Sequence, residues 1–96
     1  MESIEGRLKV KSIFTVSGRG LVIAGDIVEG TMKIGMYTQI LKINDKEFRL
    51  RIDGVEFVDY ISKNHAEVGL FFSVSITKEE MQSAIPYDNI IECRNL

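Results

Sequence analysis

Apolar and polar residues alternate with a period of two over several short segments of this chain, and no other feature of the sequence constrains the fold as strongly. The alternation is clearest in segments 8–16, 47–52 and 68–76. Successive side chains of a strand point to opposite sides of a sheet, so this period predicts strands with one face buried. Together with an apolar segment at 21–28, these segments predict a core that includes Val10, Phe14, Leu50, Leu70, Phe72 and Val74.

Residues that favour turns separate the predicted strands. Ser17-Gly18-Arg19-Gly20 and Asn44-Asp45-Lys46 each predict the turn of a hairpin. Gly25 interrupts segment 21–28 and predicts a bulge, a sharp bend at a barrel corner or the close approach of another backbone, of which curvature is the expected purpose. Six or seven short strands joined by such turns indicate an all-β fold, and specifically a small closed antiparallel β-barrel, because closure leaves no exposed strand edge.

The C-terminal part of the sequence predicts one short helical turn and a last strand. Thr77 and Glu80 have the capping-box spacing, a hydroxyl at the first position and a carboxylate three residues later. Pro86 limits the length of any helix that begins there. Segment 37–43 predicts a further strand, and segment 89–93 offers a short strand that completes the sheet.

The length and the charge of the chain limit its organisation and its partners. Its 96 residues suit a single domain, 1–96, with loose termini at 1–6 and 94–96. The formal net charge is −2, from 12 basic and 14 acidic residues. A protein held to nucleic acid mainly by phosphate contacts has an excess of positive charge, so RNA contact would require a local basic patch.

Cysteine content and hydropathy predict the cellular location. Cys93 is the single cysteine and has no intrachain partner for a disulfide, so we expect a reducing, cytoplasmic environment. No apolar run approaches the roughly 20 residues that span a bilayer. Glu2 and Glu5 stand where a signal peptide has basic residues. We therefore expect a soluble protein with no membrane partner.

Several glycine-containing motifs occur in an order that resembles a known family. The run from Phe14 to Gly25 contains a strand, a Gly-Arg-Gly turn and a second strand ending in glycine. The motifs that follow are Glu29-Gly30, Ile34-Gly35, Gly54-Val55-Glu56-Phe57, Ala66-Glu67-Val68-Gly69-Leu70 and Ile76-Thr77-Lys78-Glu79-Glu80. Over residues 7–85 the chain resembles the second domain, a β-barrel, of the elongation factor Tu family of translational GTPases.

This resemblance implies a binding surface. In the family, the Gly-Arg-Gly turn lies where the domain meets the nucleotide domain and the acceptor end of aminoacyl-tRNA, and the Gly-Val-Glu glutamate lies near the terminal adenosine. The resemblance therefore implies that the binding residues of this chain are Gly18, Arg19, Gly20 and Glu56. Arg19 is the first candidate, because a guanidinium can hold a carboxylate or a phosphate through two parallel hydrogen bonds. The alternative is that the two glycines only shape the turn and that Arg19 is solvated.

Two differences from the translation factors define what else to expect. The sequence has no Gly-x-x-x-x-Gly-Lys-Ser/Thr loop, so we expect that this chain alone neither binds nor hydrolyses GTP. Asp26 stands where the translation factors have an arginine after the strand-ending glycine, and a carboxylate there would repel a phosphate.

Four basic residues lie at those alternate positions of the predicted strands that face away from the core. They are Lys9, Lys11, Arg49 and Arg51. If these strands are neighbours, the four side chains would form a basic outer face that attracts the RNA backbone. Nearby acidic residues such as Glu47 and Asp53 favour the alternative, a solvated sheet face with little net field.

The remaining reactive residues predict neither an enzyme nor a metalloprotein. His65 is the single histidine and Cys93 the single cysteine, so the sequence offers too few ligands for a transition-metal site. Cys93 lies in an apolar segment, where a buried structural thiol is the common case. We expect no cofactor. The function that follows is a non-catalytic binding module with a protein partner or RNA, and the alternative is a structural or regulatory adaptor that binds only protein.

Overall fold

The computed structural model describes residues 4–59 and 66–95, and most of these residues lie in antiparallel strands. The elements in chain order are β1 (Ile4–Val16), β2 (Gly20–Gly30), β3 (Tyr37–Thr38), β4 (Leu41–Ile43), β5 (Lys46–Phe48), β6 (Gly54–Asp59), β7 (Ala66–Phe72), α1 (Lys78–Ala84) and β8 (Ile90–Arg94). The predicted all-β, antiparallel character is confirmed. β1 begins at Ile4, inside the segment expected to be a loose terminus, and Ile4 pairs with Arg94.

Six of the strands form one sheet in the order β3-β8-β1-β2-β7-β6, and β4 and β5 form a separate hairpin. All the paired strands are antiparallel. β1 and β2 form the longest hairpin, around the predicted turn at 17–20. The described residues contain no helix with the length and hydropathy that a membrane crossing requires.

The chain just before β6 forms hydrogen bonds with the chain around β3. The N–H of Thr38 donates to the carbonyl oxygen of Leu50 at 2.8 Å, and the N–H of Ile52 donates to that of Met36 at 2.8 Å. Between them, Tyr37 and Arg51 lie opposite each other as an isolated antiparallel bridge. These bonds therefore connect the first strand in the sheet order with the segment that leads into the last strand.

An irregularity in β1 changes which side chains face the core. The pairing with β2 is regular from Leu8 to Val10 and resumes at Ser12 with a shifted register, so Lys11 is an extra residue on this strand. Beyond it the buried residue is Ile13. The prediction of which residues of segment 8–16 face the core is therefore wrong after Lys11. Phe14, which was expected in the core, is only half-buried.

Gly25 lies opposite Val10, next to this bulge. A Cβ atom at Gly25 would lie 1.8 Å from the carbonyl oxygen of Lys9, a distance at which no side chain fits. The close approach of the two backbones explains why glycine is needed at this point of the strand.

The core contains most of the predicted residues. Val10, Leu50, Leu70 and Phe72 are buried, and Val74 is partly buried and packs against them. The other buried apolar residues of the cluster are Leu8, Ile13, Leu21, Ile23, Met32, Met36, Leu41, Ile43, Ile52, Met81, Ile85, Ile91 and Cys93. The hairpin of β4 and β5 and the helix α1 thus share one core with the sheet.

The predicted helix start is confirmed. The side chain of Thr77 accepts a hydrogen bond from the N–H of Glu80 at 3.1 Å, and the Glu80 carboxylate accepts one from the N–H of Thr77 at 3.0 Å. The helix is longer than the single turn expected, because Met81 is buried and anchors its second turn against the core. It ends at Ala84, before Pro86.

Two predicted strands differ in extent from the observed ones. Segment 37–43 is divided into β3 and β4, and the turn after β4 has positive φ angles at both Asn44 and Asp45, as a tight two-residue hairpin turn requires. β7 ends at Phe72 instead of continuing to Ile76. The residues from 73 to 77 leave the sheet and lead to α1.

Candidate functional site

The turn at 17–20 joins β1 to β2, and its two glycines have different surroundings. Both have positive φ angles, +80° at Gly18 and +104° at Gly20, which glycine adopts most easily. A Cβ atom at Gly18 would have no neighbour within 4 Å. A Cβ atom at Gly20 would lie 2.4 Å from the carbonyl oxygen of Phe72. Gly20 therefore packs tightly against β7, whereas Gly18 faces open space.

Arg19 and Glu56, both candidate binding residues from the sequence, form an ion pair with each other. Nη2 of Arg19 lies 2.5 Å from Oε2 of Glu56 on β6. The guanidinium carbon of Arg19 also lies 3.9 Å from the centre of the Phe71 ring, a cation–π contact. The Arg19 side chain is therefore held across β7 and is not simply solvated.

This ion pair remains accessible from solvent. The side chains of Arg19 and Glu56 are 48% and 49% exposed. One hydrogen bond joins them, from Nη2 of Arg19 to Oε2 of Glu56, so other donors of the guanidinium and the second carboxylate oxygen are available to a partner. The arrangement presents a neutral, hydrogen-bonding patch supported by an aromatic ring.

A large open groove lies beside the turn. It has a volume of about 1020 Å³, and its walls are formed by segments 15–20 and 73–79. Its lining is rich in hydroxyl groups, from Thr15, Ser17, Ser73, Ser75 and Thr77. Arg19 and Lys78 are the basic residues of the groove, and Glu79 is an acidic one.

A second, smaller hollow adjoins the groove. It has a volume of about 460 Å³ and lies between the hairpin of β4 and β5 and the residues that follow β7. Its apolar lining consists of Ile43, Phe48, Leu50, Val74 and Ile76, and its polar lining consists of Asn44, Lys46, Ser75 and Glu80. Val74, Ser75 and Ile76 line both spaces, so the segment 74–76 runs along the boundary between them.

Asp53 fixes the point at which the chain leaves β7. Its carboxylate accepts a hydrogen bond from the N–H of Ser73 at 3.0 Å and forms an ion pair with Arg51 at 2.8 Å. The hydrogen bond from the Ser73 backbone, together with the positive charge of Arg51, lowers the pKa of Asp53 below its ordinary value. Asp53 thereby positions the start of segment 73–77 along the groove.

The four basic residues expected to form an outer face do not lie on neighbouring strands. Lys9 and Lys11 are on β1, whereas Arg51 is opposite Tyr37 of β3, and β8 lies between β1 and β3. Nζ of Lys11 forms an ion pair with Asp88 at 2.9 Å, which raises the pKa of Lys11.

The remaining basic residues of that set are close to acidic groups or partly enclosed. Lys9 lies opposite Asp26 in the pairing of β1 with β2, and Arg49 is half-buried. Arg51 is already paired with Asp53. Acidic partners thus offset much of the charge that a basic face would need.

The thiol of Cys93 is poorly placed to react. Cys93 is buried in β8, and burial raises the pKa of its thiol to about 12, so the nucleophilic thiolate is disfavoured. His65 lies outside the described residues. Within the described parts of the chain, no cluster of three or more His, Cys, Asp or Glu residues could hold a metal ion.

Two parts of this surface were not predicted from the sequence. The contact of Arg19 with Phe71 and the hollow beside Ile76 both depend on how segments distant in sequence meet. The alternation of Ser73, Ser75 and Thr77 with apolar residues was the available signal for an extended segment. From the sequence alone this alternation predicts a continuation of the strand, because a strand and an extended segment outside the sheet have the same period.

A scan of the chain against models of known protein families finds no match. The similarity to the second domain of the elongation factor Tu family therefore remains a hypothesis based on the motifs.

Proposed function

We propose that this chain is a non-catalytic, cytoplasmic binding module that presents the surface around Arg19 and Glu56 to a protein partner. We also propose that its strands form a small closed barrel related to the second domain of elongation factor Tu. The hydrogen bonds between Thr38 and Leu50 and between Ile52 and Met36 support closure, because they link the two ends of the strand order.

The observation that carries the binding proposal is the contact between Arg19 and Glu56. These residues are 37 positions apart in sequence, yet they form one half-exposed pair on top of Phe71, beside the open groove. Arginine supported by an aromatic ring is a frequent feature of protein interfaces, where it offers several directed hydrogen bonds.

The charges around this pair favour protein over RNA. Glu56 neutralises Arg19 at close range, so a phosphate would approach a carboxylate as well as a guanidinium. Lys11 and Arg51 have acidic partners of their own. A protein surface can satisfy both members of the Arg19–Glu56 pair, since it carries both carboxylates and cationic donors.

Site-specific cross-linking tests this proposal. A photoreactive amino acid at position 17 places the probe next to Arg19, and one at position 31 places it just beyond the opposite end of β2 as a matched control. In extract of the source cell we expect a protein adduct at position 17 that Arg19→Ala abolishes. An adduct found only at position 31, or one unaffected by Arg19→Ala, would contradict the proposed surface.

RNA binding is measured separately with purified chain and tRNA at two salt concentrations. Phosphate contacts give an affinity that falls as salt rises, so salt-dependent binding that requires Arg19 would replace the protein proposal with RNA binding. Calorimetry with GTP serves as a further check, because the absence of a phosphate loop predicts no binding.

A further inference from the structure

The chain that follows β7 first makes a tight turn, in which the N–H of Val74 donates to the carbonyl oxygen of Phe72 at 3.0 Å, and then runs outside the sheet with no partner strand among the described residues. Its side chains from 73 to 77 alternate between exposed and half-buried, as in an extended segment. Asp53 holds the N–H of Ser73 at one end, and Thr77 at the other end is extended, with φ −75° and ψ 159°. Between them, the N–H groups of Ser75 and Ile76 form no hydrogen bond with any residue in ranges 4–59 and 66–95. Extended backbone with unsatisfied donors and acceptors is what an added strand pairs with.

The space next to this segment suits a polypeptide. The groove of about 1020 Å³ runs beside it, between segments 15–20 and 73–79. Gly18 on the facing wall has open space around it, so no side chain there obstructs the approach of another backbone. The smaller hollow, lined by Phe48, Val74 and Ile76 among other apolar side chains, adjoins the same segment. It is large enough for one apolar side chain of the added strand.

The charges at the two spaces indicate which residues such a strand would carry. Lys46 at the hollow and Lys78 at the groove have no ion pair within the described part of the chain. The carboxylate of Glu80, also at the hollow, already accepts a hydrogen bond from the N–H of Thr77. Glu79 is the remaining acidic residue of the groove. Acidic side chains on the partner would therefore complement the two unpaired lysines.

We propose that the groove binds an extended peptide segment of a protein partner, which adds as a strand along segment 74–76. Main-chain hydrogen bonds to Ser75 hold the peptide, because adjacent residues of an extended chain direct their N–H groups to opposite edges. An apolar side chain of the peptide occupies the smaller hollow, and an acidic residue pairs with Lys46 or Lys78. This inference rests on the proposed function, because it names the kind of partner that the binding module recognises.

The probe is a peptide selected from a displayed library of random peptides of about 12 residues, long enough to span the groove as a strand. The tightest peptide is synthesised with a fluorescent label and titrated against the full chain. Ser75→Pro removes the N–H of residue 75, whereas the matched variant Ser75→Ala keeps that N–H and removes only the hydroxyl. Copies of the peptide with single N-methylated amides test the same hydrogen bonds from the other side, with the chain unaltered.

We expect Ser75→Pro to weaken binding by about tenfold or more and Ser75→Ala to change it little, since only the former removes a main-chain donor. N-methylation should weaken binding at alternate positions of the peptide, in step with the period of a strand. Enrichment of acidic residues beside one apolar position in the selected peptides is the expected sequence preference.

Three results would overturn the inference: failure of the library to yield a binder, equal binding by the Ser75→Pro chain, or N-methylation without effect at every position. If the peptide binds in a way that requires Arg19 but is indifferent to Ser75→Pro and to N-methylation, strand addition is wrong while the proposed binding surface is supported. Cross-linking at position 17 tests the proposed binding surface around Arg19 and Glu56 independently.

Discussion

Gly18 and Gly20 have similar backbone angles but different roles. Both need a positive φ, yet only Gly20 is in contact with another strand, through the carbonyl oxygen of Phe72. The sequence alone does not distinguish them, because the pattern Gly-Arg-Gly contains no information about what each glycine faces. In the structure both glycines shape the turn, but only Gly20 packs against β7, and Gly18 is left open to a partner.

Substitution of these two glycines should therefore have unequal effects on stability. Gly18→Ala places a side chain in a left-handed conformation with free space around it, and should lower the free energy of unfolding by about 1–2 kcal/mol. Gly20→Ala adds a collision with β7 to the same strain and should cost distinctly more. Urea denaturation of the two variants measures the difference, and equal losses would show that Gly20 is not packed as described.

At the scale of elements, the parts of the fold that depend on neighbours in sequence were predictable. The capping box of Thr77 and Glu80 was visible because both partners lie within four residues of each other. The bulge at Lys11 was not, because an extra residue depends on the partner strand, and its effect is to bring Ile13 rather than Phe14 to the core. The pairing of Arg19 with Glu56 likewise required knowledge of the strand order.

The helix cap gives a direct test at this scale. Thr77→Ala removes the acceptor for the N–H of Glu80 and should lower the free energy of unfolding by about 1 kcal/mol. In a domain of this size that corresponds to a fall in Tm of roughly 4–8 °C. Thr77→Ser retains the hydroxyl and is the matched control. If the Thr77→Ala and Thr77→Ser chains have the same Tm, the cap does not contribute to the stability of α1.

At the scale of the whole molecule, a single core joins the sheet, the β4–β5 hairpin and α1. Phe72 is fully buried within it, whereas Phe57 on β6 is 79% exposed. A small domain has little stability to spare, so the loss of one large buried side chain affects the entire fold.

Phe72→Ala should lower the free energy of unfolding by about 3–5 kcal/mol, because it removes buried apolar area and leaves a cavity. Phe57→Ala makes the same chemical change at an exposed position and should have little effect on stability. Thermal denaturation followed by circular dichroism compares the two. Melting of the Phe72→Ala chain within a degree or two of the parent would mean that the core is placed wrongly.

Because the single thiol is buried, its reactivity reports on local unfolding of the strand that contains it. Cys93 lies in β8 opposite Gly6 of β1 on one side and Thr38 of β3 on the other. Alkylating reagents attack the thiolate, which burial disfavours and which the reagent cannot reach while these strands stay paired.

Iodoacetamide should therefore label Cys93 only during transient separation of β8 from its neighbours. We expect labelling of the native chain at neutral pH to be far slower than that of the chain in denaturant, and to accelerate as denaturant is added. Equal rates in the two conditions would contradict the buried position of the thiol. Because β8 connects β1 with β3, the labelling rate measures how often the sheet comes apart at this point, without any engineered probe.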